Sequence, residues 1–226
     1  MVWMKPATLL LPLPLAAAAL LAAEPDPEAR ALLARWAERT RDVRTLQLEL
    51  VQTKTMKLLR RPLVSKGTLL LKGERLRLDL AGADGERDLV LQVLPGEVRI
   101  WHPQLQRQEV WAVREGRLPP ESPFLMLGPD VEKLPERYDV RREAIEGGDA
   151  LVLEPREASQ VAWMRLEFKQ GELVATEQQD KRGTNIRTEI ARWVQNPEVS
   201  DAALELELPA GATVVRMDEK DRGGAR

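Results

Sequence analysis

A short alternating stretch decides the fold of this chain: Arg75-Leu76-Arg77-Leu78-Asp79-Leu80. Every second residue is a leucine, and every residue between them is charged. Because the side chains of a β-strand point alternately to its two faces, this pattern predicts a strand with one buried and one solvated face. The same period recurs along the chain, carried by Leu46, Leu48 and Leu50, by Leu89, Leu91 and Val93, by Val98 and Ile100, and by Leu204, Leu206 and Leu208.

Turn signals separate these alternating stretches. Glycine-containing turns are expected at residues 82–85, 95–96, 147–148, 169–171 and 181–183. The pattern predicts about eleven strands in a meander, and a single sheet of that size has to curl. We therefore predict a mainly β (α+β) fold built on a single large curled antiparallel sheet. Such an open, half β-barrel would be covered by an N-terminal helix and by short lid helices.

Three segments depart from the period of two. Residues 28–43 carry apolar side chains at helical spacing from Ala29 to Ala37, which predicts one amphipathic helix. Residues 122–128 read Ser-Pro-Phe-Leu-Met-Leu-Gly, with a capping serine, a proline at the first helical position and a terminal glycine. They predict a one-turn helix that is apolar nearly all round. A second short helix is expected at residues 131–136.

The first 23 residues predict a signal peptide. Lys5 precedes an apolar run from Thr8 to Ala23, and an acidic stretch follows. This order is typical of a cleavable secretory leader, and the run of about 15 residues is shorter than the ~20 that a membrane span needs. An uncleaved anchor helix is the alternative. We expect export to the periplasm, a folded domain over residues 24–217 and a polar tail over residues 218–226.

Composition limits the chemistry that is available. The chain has no cysteine and one histidine, His102, which removes disulfides, cysteine-ligated zinc and Cys/His or Ser/His catalysis. No phosphate-binding loop or dinucleotide fingerprint is present. The formal net charge is −2, whereas a nucleic-acid-binding domain usually carries a strongly basic face. We predict a monomer that is not an enzyme, holds no metal or cofactor and binds no nucleic acid.

The tryptophans allow two interpretations. Trp101, Trp111, Trp163 and Trp193 all stand in alternating segments that also carry charged residues. They could pack on the outer face or at the ends of the barrel. Alternatively, some could line the mouth of a ligand site, where an indole offers apolar area and one hydrogen-bond donor.

Six short motifs follow one another in a specific order. They are Lys66-Gly67-Thr68-Leu69-Leu70-Leu71-Lys72, Gly96-Glu97-Val98-Arg99-Ile100-Trp101-His102-Pro103, Ser122-Pro123-Phe124-Leu125-Met126-Leu127, Tyr138-Asp139-Val140, Leu151-Val152-Leu153-Glu154-Pro155 and Leu206-Glu207-Leu208-Pro209-Ala210-Gly211-Ala212. This order covers most of residues 29–215 and resembles the LolA family of periplasmic carriers, which escort lipoproteins to the outer membrane. The family's Arg-Pro after the lysine strand, which is linked to holding the lid closed, is replaced here by Gly73-Glu74. Arg75 is a candidate substitute for that arginine.

The resemblance implies a hydrophobic cavity that shields the acyl chains of a lipoprotein or of a related lipid-like cargo. It also implies transient inner-membrane donor and outer-membrane acceptor proteins. The wall of the cavity is then expected to be Leu69, Leu71, Leu76, Leu78, Leu91, Ile100, Leu153, Met164, Leu166 and Phe168. The lid is expected to be Phe124, Leu125, Met126 and Leu127.

Two other classes of protein remain open on the same fold. One is an envelope sensor or regulator that binds a lipidated or peptide partner. The other is a structural envelope β protein whose interior is a filled core. Lipid that co-purifies with the protein would separate a carrier from a structural protein.

Overall fold

The computed structural model describes residues 26–112, 131 and 133–217. These residues form one mixed sheet of 12 strands with three short or medium α-helices and one 3-10 helix. The helices are α1 (Pro27–Thr40), α2 (Leu134–Arg137), α3 (Asp201–Leu204) and the 3-10 helix Pro103–Leu105. The strands are β1 (Thr45–Thr55), β2 (Leu63–Lys72), β3 (Arg75–Ala81), β4 (Arg87–Leu94), β5 (Glu97–His102), β6 (Arg107–Ala112), β7 (Tyr138–Ile145), β8 (Gly148–Pro155), β9 (Val161–Lys169), β10 (Glu172–Asp180), β11 (Asn185–Gln195) and β12 (Thr213–Met217).

The strand order across the sheet is β12-β6-β5-β4-β3-β2-β1-β11-β10-β9-β8-β7. Most neighbours in this order are antiparallel hairpins, and β1 pairs with β11 to join the two runs of the meander. The sheet is not closed, because β12 and β7 are its two edges. The prediction of a single large open sheet in a mainly β fold is therefore confirmed. The prediction of a purely antiparallel sheet is wrong at one edge, where β12 pairs with β6 in parallel.

Helix α1 packs against one face of the sheet, which we call the inner face. The Asp26 carboxylate caps the helix by accepting from the Glu28 N–H at 2.9 Å, and Pro27 occupies the first turn. The buried side of the helix is the one predicted from helical spacing, and Trp36 at its centre is 2% exposed. The helix prediction is confirmed, although the helix ends at Thr40, slightly before the expected position.

Polar contacts fix the N-terminus of α1 to the edge strand β7. The backbone N–H of Arg142 donates to the second carboxylate oxygen of Asp26 at 3.2 Å. This bond and the bond from Glu28 lower the pKa of Asp26. The Arg142 guanidinium also pairs with Glu28 and with Asp149 on β8. The helix is thereby held across the β7 side of the inner face.

The segment between β11 and β12, residues 196–212, crosses the opposite face of the sheet, which we call the outer face; we call this segment the strap. It begins beside β1, where the Asn196 side chain accepts from the Arg44 N–H at 2.8 Å. It ends beside β6, where the Thr213 N–H donates to the Gln106 carbonyl at 2.8 Å. Because β11 neighbours β1 while β12 neighbours β6, the strap spans the whole β1–β6 half of the sheet.

The strand predicted at Leu204, Leu206 and Leu208 is wrong, because these residues belong to α3 and to the extended strap. Leu204 is 1% exposed and Leu206 and Leu208 are half-buried, so the alternation does reflect burial on one side. The backbone bonds, however, go to side chains of the sheet. Gln92 donates to the Leu204 carbonyl at 2.7 Å, and the Arg77 guanidinium donates to the Glu205 carbonyl.

Candidate functional site

The predicted wall residues on strands β2–β5 lie side by side on the inner face. The strand register places Leu69 opposite Leu78, Leu78 opposite Leu91, and Leu91 opposite Ile100. Directly opposite residues of antiparallel strands share one face of the sheet. A second row begins with Leu71 opposite Leu76 and continues through Val93, Val98 and Trp111. The period-two leucines thus form a continuous apolar surface.

The predicted wall residues on β8 and β9 lie on the same face at the other side of the sheet. Leu153 is opposite Met164, and Leu166 and Phe168 follow along β9. Helix α1 covers this region, since the ring centroids of Trp36 and Phe168 are 5.4 Å apart in an edge-on contact. A similar contact at 5.5 Å joins Trp36 to Trp193 on β11. These four wall residues are fully packed.

The predicted wall residues of the two regions therefore differ in packing, although Ile190 and Trp193 on β11 are also only partly buried. We call the part formed by β7–β11 and covered by α1 the packed half, and the part formed by β2–β6 the open half. Among the predicted wall residues of the open half, Leu69, Leu76 and Leu78 are buried at the base. Leu71, Leu91 and Ile100 are only partly buried, and so are two neighbours that sequence reasoning did not assign to the wall, Leu89 and Trp111. A partly exposed apolar strip therefore runs along the open half.

Leu89 and Trp111 could have been found from the sequence. Leu89 belongs to the same alternating stretch as Leu91, so its face was already implied. Trp111 follows from the β5–β6 hairpin, whose register places it opposite Val98. Trp111 lies on the inner face, at the edge of the apolar strip. Trp101 instead lies on the outer face at 4% exposure.

The predicted lid residues Phe124, Leu125, Met126 and Leu127 lie outside the described residues. The chain that follows is anchored in the core. Val131 is 0% exposed and Leu134, in α2, is 3% exposed, and both belong to the main apolar cluster. The short helix expected at residues 131–136 is confirmed as α2, shifted by a few residues.

A polar patch ends the apolar strip on β5 and β6. The register places His102 opposite Arg107, and Ile100 opposite Glu109. Arg107 and Glu109 form an ion pair at 3.2 Å, with part of each side chain exposed. The apolar strip therefore ends against charged groups at this edge of the sheet.

Arg75, the candidate substitute for the arginine of the family's Arg-Pro motif, is the first residue of β3. Its guanidinium lies on the outer face, where it pairs with Glu205 at 2.6 Å and with Asp201 at 3.5 Å. Lys72 donates to Asp201 at 3.0 Å, and this bond lowers the pKa of the Asp201 carboxyl. Arg75 therefore fastens the strap to the sheet.

The outer face of the packed half carries a ladder of ion pairs. Glu167 on β9 accepts two hydrogen bonds from Arg187 on β11, at 2.8 and 2.9 Å. This pairing lowers the pKa of Glu167 and raises that of Arg187. Arg165 links Glu167 to Glu143 on β7, at 3.6 and 3.5 Å. The ladder explains the interleaved acids and bases of the sequence as a solvated outer face.

A groove of about 680 Å³ lies away from the predicted wall. It is open to solvent and is bordered by the charged side chains of Glu49, Lys66, Asp79 and Arg87. None of the predicted wall residues lines it. Its mixed charge and its exposure make it a poor place to shield an acyl chain, so we assign the candidate site to the apolar strip of the open half.

Within residues 26–112, 131 and 133–217, no three or more His, Cys, Asp or Glu side chains are arranged to hold a metal ion. No helix in that part of the chain is long and apolar enough to cross a membrane.

The open 12-stranded sheet and its apolar inner face define the class of this molecule. It is a half-barrel β protein with an apolar interior, which an N-terminal helix covers in part. The family described as "Outer membrane lipoprotein carrier protein LolA" matches residues 41–206, and the chain therefore belongs to the LolA family. Members of this family are carrier or binding proteins rather than enzymes. A comparison with curated protein sequences gave no significant match.

Several solved structures are similar to this chain at low sequence identity. An uncharacterized conserved protein from Thermus thermophilus is 14% identical with a TM-score of 0.52, over 84% of this chain and 99% of that chain. A LolA superfamily protein from Nitrosomonas europaea is 12% identical with a TM-score of 0.42, over 79% of this chain and 97% of that one. A structure of the Pseudomonas aeruginosa MucA/MucB complex matches at 18% identity and a TM-score of 0.39, over 80% of this chain and 61% of that one.

Proposed function

We propose that this protein is a periplasmic carrier that holds the acyl chains of lipoproteins, or of a related lipid-like cargo, against the open half of its inner face. Family membership supports the class of ligand. The observation that carries the proposal is the strip of partly buried apolar side chains, because a closed structural core would bury them as completely as it buries Phe168 at 2% exposure.

The energetics of the cargo explain why such a strip is needed. Transferring one CH₂ group from water to an apolar site is favourable by about 0.8 kcal/mol. Two or three long acyl chains therefore cost on the order of tens of kcal/mol to expose to water, by the same arithmetic. A carrier that crosses an aqueous compartment has to shield this surface and still release it.

The division of the inner face meets both requirements. The packed half, with Trp36 seated between Phe168 and Trp193, supplies a rigid base. The open half offers side chains such as Leu91 and Ile100, whose exposed area can be covered by cargo. We include Phe124–Leu127 in the proposal as the lid, since a movable apolar cover would protect the strip when no cargo is bound.

The cellular route is part of the same proposal. Residues 1–23 would direct export to the periplasm and be removed there. The carrier would then receive cargo from an inner-membrane donor and deliver it to an outer-membrane acceptor. No covalent chemistry is required at any step, because transfer only exchanges one apolar environment for another.

Organic extraction of the purified protein, followed by mass spectrometry, tests the class of ligand. We expect co-purified acyl lipid or lipidated peptide. A companion titration measures the affinity for an acylated peptide in the parent protein and in Leu91→Asp. Leu91 lies in the strip, and a buried carboxylate beside acyl chains is strongly unfavourable, so we expect at least a tenfold loss of affinity.

Leu70→Asp is the matched control. Leu70 is on the neighbouring strand β2, is half-buried and points to the outer face, opposite Arg77. The control should keep the parent affinity and the parent circular dichroism spectrum. Equal affinity in the parent and in a folded Leu91→Asp would remove the strip from the binding site and with it the proposed function.

A further inference from the structure

The hairpin between β1 and β2 ends in an exposed apolar tip. Four large apolar side chains project there: Leu58 at 96% exposure, Leu63 at 50%, Val64 at 46% and Leu59 at 41%. In the part of the chain that the structure describes, only two other large hydrophobic side chains are as exposed, Leu105 and Val214. The clustering of four of them in one hairpin sets this tip apart from the scattered exposed residues of an ordinary surface.

The same tip is strongly basic. Five cations stand between residues 54 and 66, namely Lys54, Lys57, Arg60, Arg61 and Lys66. No acidic residue occurs between Glu49 and Glu74. The chain as a whole has a formal net charge of −2, so the positive charge is local to this hairpin. The tip therefore combines apolar side chains with a basic stretch that contains no acid, while the β3–β4 turn, with Asp84 and Glu86, lies on its other side, next to Lys66 opposite Ala81.

A neighbouring turn adds to the basic surface. Strand β1 pairs with β11 as far as Thr55 opposite Asn185, which brings the β10–β11 turn beside the hairpin. Lys57 packs against that turn: its Cε atom lies only 2.5 Å from the position that a Cβ atom on Gly183 would take. The turn contributes Lys181 and Arg182. Its acid, Asp180, accepts from the backbone N–H groups of Arg182 and Thr184, at 2.9 and 2.7 Å, and its charge lies within the turn.

We propose that this hairpin tip docks the protein on an anionic lipid bilayer. The apolar side chains would enter the boundary between headgroups and acyl chains, while the lysines and arginines remain at the level of the lipid phosphates. Leu58 is almost fully exposed and projects beyond the sheet. Such a side chain suits insertion into a deformable apolar layer better than contact with a flat protein surface. The proposal goes beyond cargo binding and stands on a different part of the molecule.

The expected binding is weak and reversible. Attraction to an anionic surface falls off within a Debye length, about 8 Å at physiological ionic strength, so only the tip and the adjacent turn contribute. Four short side chains do not anchor a protein permanently. A carrier that has to leave one membrane and reach another needs contact of this kind.

Flotation with lipid vesicles tests the proposal on the purified protein. Vesicles of phosphatidylcholine alone are compared with vesicles that also contain phosphatidylglycerol. We expect binding to the anionic vesicles only, weakened by added salt. The double variant Arg60→Glu/Arg61→Glu should lose at least tenfold in vesicle affinity, because each basic residue near such a surface contributes about a fivefold factor. Leu58→Ser/Leu63→Ser should also lose binding at constant net charge.

A matched charge control is available on α1. Arg30→Glu/Arg35→Glu makes the same change in net charge at two exposed positions away from the tip, and it should keep most of the vesicle binding. Leu105→Ser controls for the loss of an exposed leucine elsewhere. Equal losses in the tip and control variants, or equal binding to neutral and anionic vesicles, would overturn the proposal. Retention on an acidic protein without any vesicle binding would overturn it as well.

The cargo assay keeps the two proposals apart. Affinity for the acylated peptide reports the strip on the inner face, while flotation reports the tip. A failure of flotation with intact peptide binding would reject membrane docking alone, and the reverse result would reject the carrier function alone.

Discussion

The division of the inner face predicts that two leucines of the same wall respond differently to the same truncation. Leu166, in the packed half, is 1% exposed and belongs to the cluster that contains Trp36. Leu91, in the open half, is only partly buried. Replacing a fully buried leucine by alanine costs about 2–5 kcal/mol, through lost transfer energy and the cavity that remains. For a partly exposed leucine we expect about 1 kcal/mol, since much of its area is already in contact with water.

Urea unfolding measures this difference. A loss of about 3 kcal/mol in Leu166→Ala, at a slope of about 3 kcal/mol per molar urea, lowers the unfolding midpoint by about 1 M. The midpoint of Leu91→Ala should fall by less than half of that. Binding of a hydrophobic dye should show the opposite order, with a several-fold loss of affinity in Leu91→Ala and parent-like affinity in Leu166→Ala.

The reverse pattern would refute the reasoning. If Leu166→Ala unfolds near the parent midpoint and binds dye more weakly, the half covered by α1 is the accessible one. If both variants lose stability equally and neither affects dye binding, the inner face is one filled core, as in the structural alternative. Circular dichroism at low urea confirms that each variant is folded before its affinity is compared.

Three further predictions concern the scaffold. In the ion-pair ladder, Arg187 holds the pKa of Glu167 below its usual 4.5. The ionised Glu167 therefore stabilises the folded state above pH 4.5, and this contribution is lost as the pH falls through the lower pKa of the folded state. Glu167→Gln should remove this part of the fall in unfolding free energy at acid pH. In the strap, Leu204→Ala should lower the free energy of unfolding by about 2–4 kcal/mol. Asp201→Asn should shift the urea midpoint much less, because ion pairs of an exposed carboxylate contribute little to stability. A larger shift in Asp201→Asn than in Leu204→Ala would mean that ion pairs hold the strap. Where β2 pairs with β3, Gly67→Ala places a Cβ atom 2.6 Å from the Asp79 carbonyl oxygen. This variant should lower the free energy of unfolding by about 1–3 kcal/mol. An unchanged midpoint of urea unfolding would show that the backbone relaxes freely there.

Strand positions were predictable because the two faces of the sheet have different environments. The stretch from Arg75 to Leu80 alternates so strictly that its face assignment follows from the sequence alone, and β3 covers residues 75–81. The same alternation predicted which face of the sheet the wall residues of β2, β4 and β5 lie on. Helix α1 was predictable for the same reason, at a different period.

The strap was not predictable, because alternation reports burial on one side and says nothing about hydrogen-bond partners. The residues from Leu204 to Leu208 alternate like a strand, yet the carbonyl groups of Leu204 and Glu205 are taken by Gln92 and Arg77. The parallel pairing of β12 with β6 depends on that crossover, so it was missed together with the strap. The role of Arg75 depends on the strap too, since its partners Asp201 and Glu205 lie there.

The face on which the predicted wall residues lie was predictable, whereas the extent of the candidate site on that face was not. All ten wall residues point to the inner face, but the sequence does not say which of them α1 covers. That depends on where the helix lies, and its position is fixed by long-range contacts, such as Asp26 with Arg142 and Trp36 with Phe168. These pairs are far apart in the sequence, and no local pattern encodes them.

The strap gives the open half of the sheet a second source of stability, on the face opposite the apolar strip. A sheet usually gains stability from the core on its inner face, and a carrier has to leave part of that core empty. Here the outer face of the same strands buries a second apolar group, with Val90 at 0%, Trp101 at 4% and Leu204 at 1% exposure. Gln92 ties this group to the strap. Strands β3–β6 thus draw stability from the outer face, and under the proposed function this would leave their inner face available for a ligand that is bound and released.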